Sequence, residues 1–318
     1  MTVLKITPPQ SIALLGGSGF VGRALARQLA QAGYLVKVLT RHANRASVLT
    51  VLPEVQIIEI GSSGASLSEA LQGCSAAVNL VGILHESGSV RFDDVHAGLA
   101  QQLIAACKVA KVRRLIHIGA IGTDAHAPSR YLRSKAASEQ AVHASGLDWT
   151  ILRPSVIFGQ EDQFLNLFAD LAKIAPVLPL ACPNAQFQPI HVEDVARAVL
   201  GCLALPETSG STLELCGPKV YTLRELIQHV EEWIGVRPPI LGLSLGLSLL
   251  QASIMELLPI KLITRDNVRS MQVPNIGSGP FPSVLGFRPS SLETIVPAYL
   301  LPQLGRARYG HLRRFAGR

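Results

Sequence analysis

Ser11-Ile-Ala-Leu-Leu-Gly-Gly-Ser-Gly-Phe-Val-Gly22 is the stretch that decides the fold. Four apolar residues, Ile12 to Leu15, run straight into Gly16-x-x-Gly19-x-x-Gly22. A helical pattern follows, with Leu25, Leu29 and Ala30 on one face, and stops at Gly33. Strand, glycine turn and helix open a dinucleotide-binding βαβ unit. The glycines let the backbone turn tightly and approach a pyrophosphate, and the helix N-terminus offers unpaired N–H groups and the positive end of its dipole. The spacing alone is weak, because ordinary turns share it. Its context gives it weight: a second apolar run, Leu35 to Thr40, follows at the βαβ distance.

Further out, Val55 to Ile60, Ala76 to Val81, Arg114 to Gly119 and Trp149 to Arg153 read as strands. Asp94 to Ala110 and Arg130 to Ser145 read as helices. Alternating β and α segments with near-continuous apolar strands predict a parallel sheet covered by helices on both faces. After Pro154 the pattern loosens and prolines cluster at Pro176, Pro179, Pro183 and Pro189, as in loops that build a second, smaller lobe. Leu213 to Cys216 reads as a short strand, and Thr222-Leu-Arg-Glu225 as a capping box for a helix reaching Trp233. Pro238 to Pro259 is Leu-rich; core packing is the favoured reading over contact with a membrane.

Composition narrows the classes. The chain has 318 residues, 48% hydrophobic, enough for a large core. Its net charge is +7, yet charged residues make up only 16%, and no basic run with interleaved aromatics occurs before the tail, so nucleic acid is not an expected partner. The tail, Gly305 to Arg318, carries Arg306, Arg308, Arg313 and Arg314; a solvated end is favoured there, and attachment to an anionic membrane surface is the sharper alternative. Five cysteines without Cys-x-x-Cys spacing fit a reducing, cytoplasmic compartment. Nine histidines without ligand spacing predict no metal site. Met1 to Gln10 lacks the charged-then-apolar pattern of a signal peptide, and no apolar run is long enough to span a bilayer.

Two groups of residues carry chemistry. Arg41 follows the second strand where a carboxylate would hold the adenosine ribose hydroxyls; an arginine there pairs with a 2′-phosphate instead. Arg45 adds a second charge one turn on. NADP(H) is therefore favoured over NAD(H). Tyr131-Leu-Arg-Ser-Lys135 places a phenol and an ammonium on one helix face. The expectation is that Lys135 lowers the Tyr131 pKa and bonds a nicotinamide ribose, so that Tyr131 moves a proton to or from a carbonyl/alcohol pair.

Together these motifs resemble the short-chain dehydrogenase/reductase superfamily in its extended or atypical branch. Val78-Asn-Leu-Val-Gly-Ile83, Asp94-Val-His96, Leu115-Ile-His-Ile-Gly119, Thr150-Ile-Leu-Arg-Pro-Ser155 and Gln188-Pro-Ile-His-Val-Glu-Asp194 narrow the likeness. They look like the atypical group around the respiratory complex I accessory subunit called alpha subcomplex subunit 9. The resemblance implies an α/β fold, a Rossmann doubly wound parallel sheet with helices on both faces and a smaller C-terminal α/β lobe. Residues 1–158 would form the NAD(P)-binding domain with 187–216 contributing, and 159–186 with 217–318 a substrate or cap lobe. It implies that Gly16, Ser18, Gly19, Phe20, Val21 and Gly22 face the pyrophosphate and Arg41 the adenosine phosphate. Leu80, Val81 and Gly82 would line the adenosine side, and Tyr131, Lys135, Pro154 and Val156 the nicotinamide.

Departures from that pattern bear on activity. The fifth strand of active relatives ends in Ser or Thr; here it ends in Gly119, and Thr123 is the nearby hydroxyl that would take over. The third strand ends in Gly61-Ser62-Ser63 rather than an Asp for the adenine. His96 stands where extended enzymes carry Asn and reads as a buried structural residue, as does His117; Asp93 and Asp94 read as helix caps. Three functions compete: an NADP(H)-binding oxidoreductase of unidentified small-molecule substrate, a structural or assembly module of a respiratory or membrane-associated complex, and a nucleotide-sugar epimerase or dehydratase.

Overall fold

The computed structural model describes residues 10–61, 64–88, 90–257 and 262–300. In chain order the first half runs β1 (Ser11–Leu15), α1 (Phe20–Gln31), β2 (Leu35–Thr40), β3 (Val55–Glu59), α2 (Leu67–Ala70), β4 (Ala76–Asn79), α3 (Leu99–Ala110), β5 (Arg114–Ile118), α4 (Arg130–His143) and β6 (Asp148–Pro154). The second half runs β7 (Ile157–Phe158), α5 (Leu165–Ile174), β8 (Leu178–Leu180), β9 (Gln186–Phe187), β10 (Ile190–His191), α6 (Val192–Ala204), β11 (Ser211–Leu215), β12 (Tyr221–Thr222), α7 (Leu223–Ile234), β13 (Ile240–Gly242), α8 (Leu245–Met255), α9 (Arg265–Ser270) and α10 (Leu292–Leu300).

Seven strands form one sheet in the order β11-β6-β5-β4-β1-β2-β3, every neighbouring pair parallel. The order reverses between β1 and β4, and at that switch point an open α/β sheet leaves a crevice beyond its strand ends. Period-two alternation divides the core. Ile12, Leu14, Val36 and Val38 pack with α1 and α6, while Ala13, Leu15, Leu39 and Ala77 pack with α3. Burial on both faces explains why these strands read as unbroken apolar runs. A further core joins α5, α7 and α10 with Phe158, Phe187 and Tyr221 in the smaller lobe. The Thr222 capping box on α7 forms as read, Thr222 and Glu225 each receiving the other's backbone N–H.

Three expectations are corrected. The helix expected from Asp94 to Ala110 is interrupted: Asp94–Gly98 is a π turn, and the α-helix proper starts at Leu99. Asp93 and Asp94 do not cap it. Asp93 already has helical backbone angles and no capping bond, because the turn begins earlier, where the Glu86 carboxylate accepts the Phe92 N–H. The Leu-rich segment does not fill a core: Leu245, Leu247, Leu250, Ile254 and Leu257 are all exposed, and α8 buries Ser248 and Ala252 instead. The Gly305–Arg318 tail, and Ser62 and Ser63, lie outside the described residues.

Candidate functional site

The glycine turn is packed so that no larger residue fits it. Gly16 has φ +83°, and a Cβ there would lie 3.0 Å from Val81 Cγ2 and 3.3 Å from the Leu80 carbonyl carbon. A Cβ on Gly22 would sit 2.5 Å from Gly17 Cα. This contact brings the first turn of α1 down onto the loop. The backbone amides of Ser18, Phe20, Val21 and Gly22 then donate to no acceptor among the described residues. Unpaired N–H groups at a helix start are an anion cradle. Ser18 Oγ bonds Thr40 Oγ1 at 3.0 Å and ties the loop to the end of β2.

A cleft of about 730 Å³ opens from this turn. Gly16, Ser18, Gly19, Arg41, Leu80, Val81 and Gly82 all line it. Arg41 and Arg45 stand at its mouth, exposed and without an ion-pair partner among the described residues. Residues not expected from the sequence complete the wall: Ser66, Leu67 and Ser68 at the start of α2, and Leu99, Gln102, Ala106 and Val109 along α3. Two signals for them were present. Ser66-x-x-Glu69 is a capping box, formed here, and 99, 102, 106 and 109 recur at helical spacing. Volume and glycine cradle fit a nicotinamide dinucleotide. Phe20 and Val21 turn inward to the core beneath the turn, and Phe20 also approaches Gly159.

Lys135 lies beside Gly82, which lines the cleft. Its Nζ would be 3.3 Å from a Cβ on Gly82, and it donates to the Ile118 carbonyl at 3.0 Å. Burial pushes its pKa down to about 8, partly opposed by Glu139. Tyr131, one turn earlier on α4, meets the Phe92 and His96 rings edge-on at 5.9 and 5.6 Å. Its phenol is not lowered as expected. Burial first, and the Glu139 charge second, push it up to about 12. The N-terminus of α4 is capped from far along the chain: Asp266 of α9 accepts the Arg130 and Tyr131 N–H groups at 2.7 and 3.0 Å.

Two buried neutral histidines brace this helix. His96 Nε2 accepts the Ile83 N–H at 3.1 Å, so Nδ1 carries the proton towards Ser134 Oγ at 2.7 Å. The Val81 amide fixes Asn79 Oδ1 as its acceptor, leaving Asn79 Nδ2 to donate to His117 Nδ1 at 3.1 Å; His117 Nε2–H then faces Ser138 Oγ. Burial, then the Lys135 charge, push both imidazoles down to about 3. The π turn has a purpose in this arrangement: it swings His96 in against the Gly82–Ile83 backbone.

Gly119 is occupied territory. A Cβ there would lie 2.1 Å from Glu139 Oε1, and Glu139 is held by Arg153 through three hydrogen bonds of 2.6 to 3.2 Å. A serine or threonine there would require the Glu139 carboxylate, and with it the Arg153 pair, to shift. The Thr123 hydroxyl donates to the Ala120 carbonyl within its own turn. Pro154 ends β6 and Val156 lies just past it, and Asn275 Oδ1 accepts the Val156 N–H and the Ser155 hydroxyl, both at 2.7 Å. Pro154, Val156, Tyr131 and Lys135 all lie outside the lining of the described cleft, and of the four Lys135 approaches it, through Gly82.

A parallel sheet with a glycine cradle at its switch point and a Tyr/Lys helix beside it defines a nicotinamide-dinucleotide-binding short-chain dehydrogenase/reductase fold. Residues 16–206 match the NAD(P)H-binding family, and the chain belongs to it, in its atypical short-chain dehydrogenase/reductase branch. Distant homologues include NADH dehydrogenase [ubiquinone] 1 alpha subcomplex subunit 9, mitochondrial, of Dictyostelium discoideum, 30% identical over 222 residues, 68% of this chain and 62% of that protein. The chain thus spans about six tenths of that relative's length. A ceramide reductase of Caulobacter vibrioides is 28% identical over 235 residues, 73% of each chain. The fold is shared with an NADPH-dependent quinone oxidoreductase of Escherichia coli complexed with NADPH, at TM-score 0.74 and 19% identity over 91% of this chain and 99% of that one.

Proposed function

We propose that this chain is an NADP(H)-dependent oxidoreductase working in the direction of carbonyl reduction, with Tyr131 as proton donor and Lys135 as the group that holds the nucleotide ribose. The observation that carries this reading is the place of Lys135 Nζ against Gly82, which lines the cleft that Arg41 and Arg45 open. The amides of Ser18, Phe20, Val21 and Gly22 would take the pyrophosphate, and Arg41 the 2′-phosphate. When bound, the nicotinamide supplies the hydride. A phenol held at about 12 is protonated at neutral pH, so Tyr131 starts as the donor, a weaker acid than an unshifted tyrosine and poorly suited to remove a proton. The oxygen of the reduced carbonyl takes that proton, and water in the opened cleft restores it to Tyr131. Thr123 would polarise the carbonyl only after releasing Ala120.

A specific observation supports a second reading, in which the nucleotide is a structural prop of an assembly module. Glu139 fills the space beside Gly119, so that site offers no side-chain donor to a carbonyl oxygen. Losing one such donor costs about 10²–10³ in rate. The third reading, a sugar-nucleotide epimerase, needs the same base chemistry on an alcohol that a high Tyr131 pKa opposes. Mass spectrometry of nucleotide released from the purified protein, followed by exchange against free NADPH, separates the first two. Fast exchange with hydride loss to a supplied aldehyde or ketone series supports the enzyme; retention over hours without turnover supports the prop.

A further inference from the structure

Tyr131, Lys135 and Glu139 recur every fourth residue on one face of α4, and the last two are buried, with 4 and 3% of their surface exposed. Tyr131 and Lys135 have tasks in the proposed reduction; Glu139 has none. A buried ammonium is costly unless an opposite charge acts on it. Lys135 has no ion pair among the described residues, and one of its three N–H donors is used, on the Ile118 carbonyl at 3.0 Å. Each neighbouring element brings titratable groups towards it. His96 on the π turn and His117 on β5 are held neutral, and burial pushes the Cys107 thiol on α3 up to about 12. Asp266 on α9 is spent on the N–H groups that open α4, where Arg130 pairs with Glu86. Arg153 arrives from β6. Glu139 is the carboxylate on the same helix face as Lys135.

We propose that Glu139 is a positioning residue for the bound nucleotide, keeping the Lys135 ammonium charged while leaving its N–H groups free for the ribose. Its placement does both. Arg153 takes the carboxylate by three hydrogen bonds of 2.6 to 3.2 Å, and Glu139 makes none to Lys135. A carboxylate in direct contact would occupy the donors that a ribose hydroxyl needs. Held one turn along the helix, Glu139 acts on the charge alone. The Glu139–Arg153 pair is a dipole, and its two ends are not equivalent to Lys135. The negative end belongs to the same helix, and the positive end comes from β6. Burial lowers the Lys135 pKa most, and the Glu139 charge opposes it. On Tyr131 burial acts first, and the same charge adds to it.

Gly119 makes the placement possible. Its N–H donates to the Leu152 carbonyl at 2.8 Å, which sets it beside Arg153 on the next strand. A Cβ on Gly119 would lie 2.1 Å from Glu139 Oε1 and 3.4 Å from Arg153 Cγ. The space a side chain would fill therefore seats the carboxylate, next to the residue whose carbonyl takes Lys135. A hydroxyl at 119 and the Glu139 carboxylate would compete for one place. Glu214 lies opposite Arg153 on β11, but it accepts the Ser278 N–H and hydroxyl, both at 2.7 Å, and leaves the guanidinium to Glu139. The role given to Glu139 rests on Lys135 as the holder of the ribose; it needs no turnover.

Fluorescence titration of the full-length protein with NADPH, from about pH 6.5 to about pH 9.5, tests the proposal. The variants are Glu139→Gln, Glu139→Asp, Lys135→Met and Gly119→Ala, the last adding a methyl and no polar group. Tm checks that each is folded. In the wild type, affinity should fall with a midpoint near 8, and Lys135→Met should remove that step. Glu139→Gln should move the midpoint down by about one unit, because an opposite charge is lost while Arg153 keeps its own. At about pH 6.5 its affinity should stay within about twofold of the wild type, since Lys135 is still mostly charged there. Glu139→Asp keeps the charge and should bring the midpoint back towards that of the wild type. Gly119→Ala displaces the carboxylate and should move the midpoint down by less; if Glu139→Gln does not fold, this variant decides. A purely structural Glu139 would lower Tm and weaken NADPH equally at every pH. The proposal is overturned if the midpoint of Glu139→Gln, or of Gly119→Ala in its stead, matches the wild type while Lys135→Met abolishes the step. A step that persists in Lys135→Met would remove Lys135 from the ribose, and the role of Glu139 with it.

Discussion

At the scale of single residues, the proposed site rests on two cations, Arg41 and Lys135, and one phenol, Tyr131. Arg41 lines the cleft and has no carboxylate partner among the described residues, and the proposed reading gives its guanidinium a phosphate to bind. Arg41→Ala is expected to weaken NADPH about 10- to 100-fold, the worth of one charge-assisted pair, and to leave NADH nearly unchanged. Fluorescence titration of both nucleotides reads this directly; equal losses for the two would remove Arg41 from the adenosine phosphate. Lys135 titrates near 8, and its charged form is the one that donates to a ribose. Nucleotide affinity should therefore fall as pH rises through about 8, and this dependence should vanish in Lys135→Met. Tyr131→Phe should abolish reduction of any carbonyl found to be a substrate while nucleotide affinity stays within about twofold, because the ring packing on Phe92 and His96 survives the loss of the hydroxyl.

At the scale of elements, α4 carries Tyr131 and Lys135; Ser129 caps it locally, and further anchoring comes from outside the nucleotide-binding half. Asp266 on α9 accepts the N–H groups of Arg130 and Tyr131, a cap delivered across the chain. Asp266→Ala should cost about 1 kcal/mol, seen as a fall in Tm, and lower turnover more than it lowers nucleotide affinity. An unchanged turnover with lowered Tm would show the cap to be structural only. Such anchoring was not legible in the sequence. The nucleotide half was, because strand hydrophobicity, glycine spacing and Tyr-x-x-x-Lys are local patterns. Helix α4 and its Tyr131 and Lys135 could be read; Asp266, Asn275 and the Glu139–Arg153 pair could not, since each joins different elements of the fold, 14 to 136 positions apart. The π turn at Asp94–Gly98 was hidden for a different reason: one added residue in a turn leaves apolar periodicity almost intact. Helix α8 misled because leucine content was read as burial, while the sequence does not say which side of a uniformly apolar helix meets the protein.

At the scale of the whole molecule, the two buried histidines couple the sheet, the π turn and α4 into one unit sensitive to acid. Each imidazole has its acceptor nitrogen already filled by an N–H donor, from Ile83 for His96 and from Asn79 for His117. Protonation would set two donors against each other next to the buried Lys135 ammonium, and the folded state resists it, holding both groups at about 3. In the unfolded chain histidine titrates near 6.5, so between about pH 6.5 and about pH 3 the unfolded state binds more protons than the folded one. The stability these residues contribute is thus complete above about 6.5 and is lost as pH falls towards 3. Tm should drop by several degrees from about pH 7 to about pH 5, with no comparable change from about pH 7 to about pH 7.5. His117→Asn separates this cause from carboxylate protonation, which acts at lower pH. The variant should be less stable at neutral pH, because a buried hydrogen-bonded ring is lost, yet show a shallower fall of Tm below about 6.5. A slope as steep as that of the wild type would mean that His117 does not drive the acid response, and that the neutral tautomer drawn from its hydrogen bonds is not what acid disrupts.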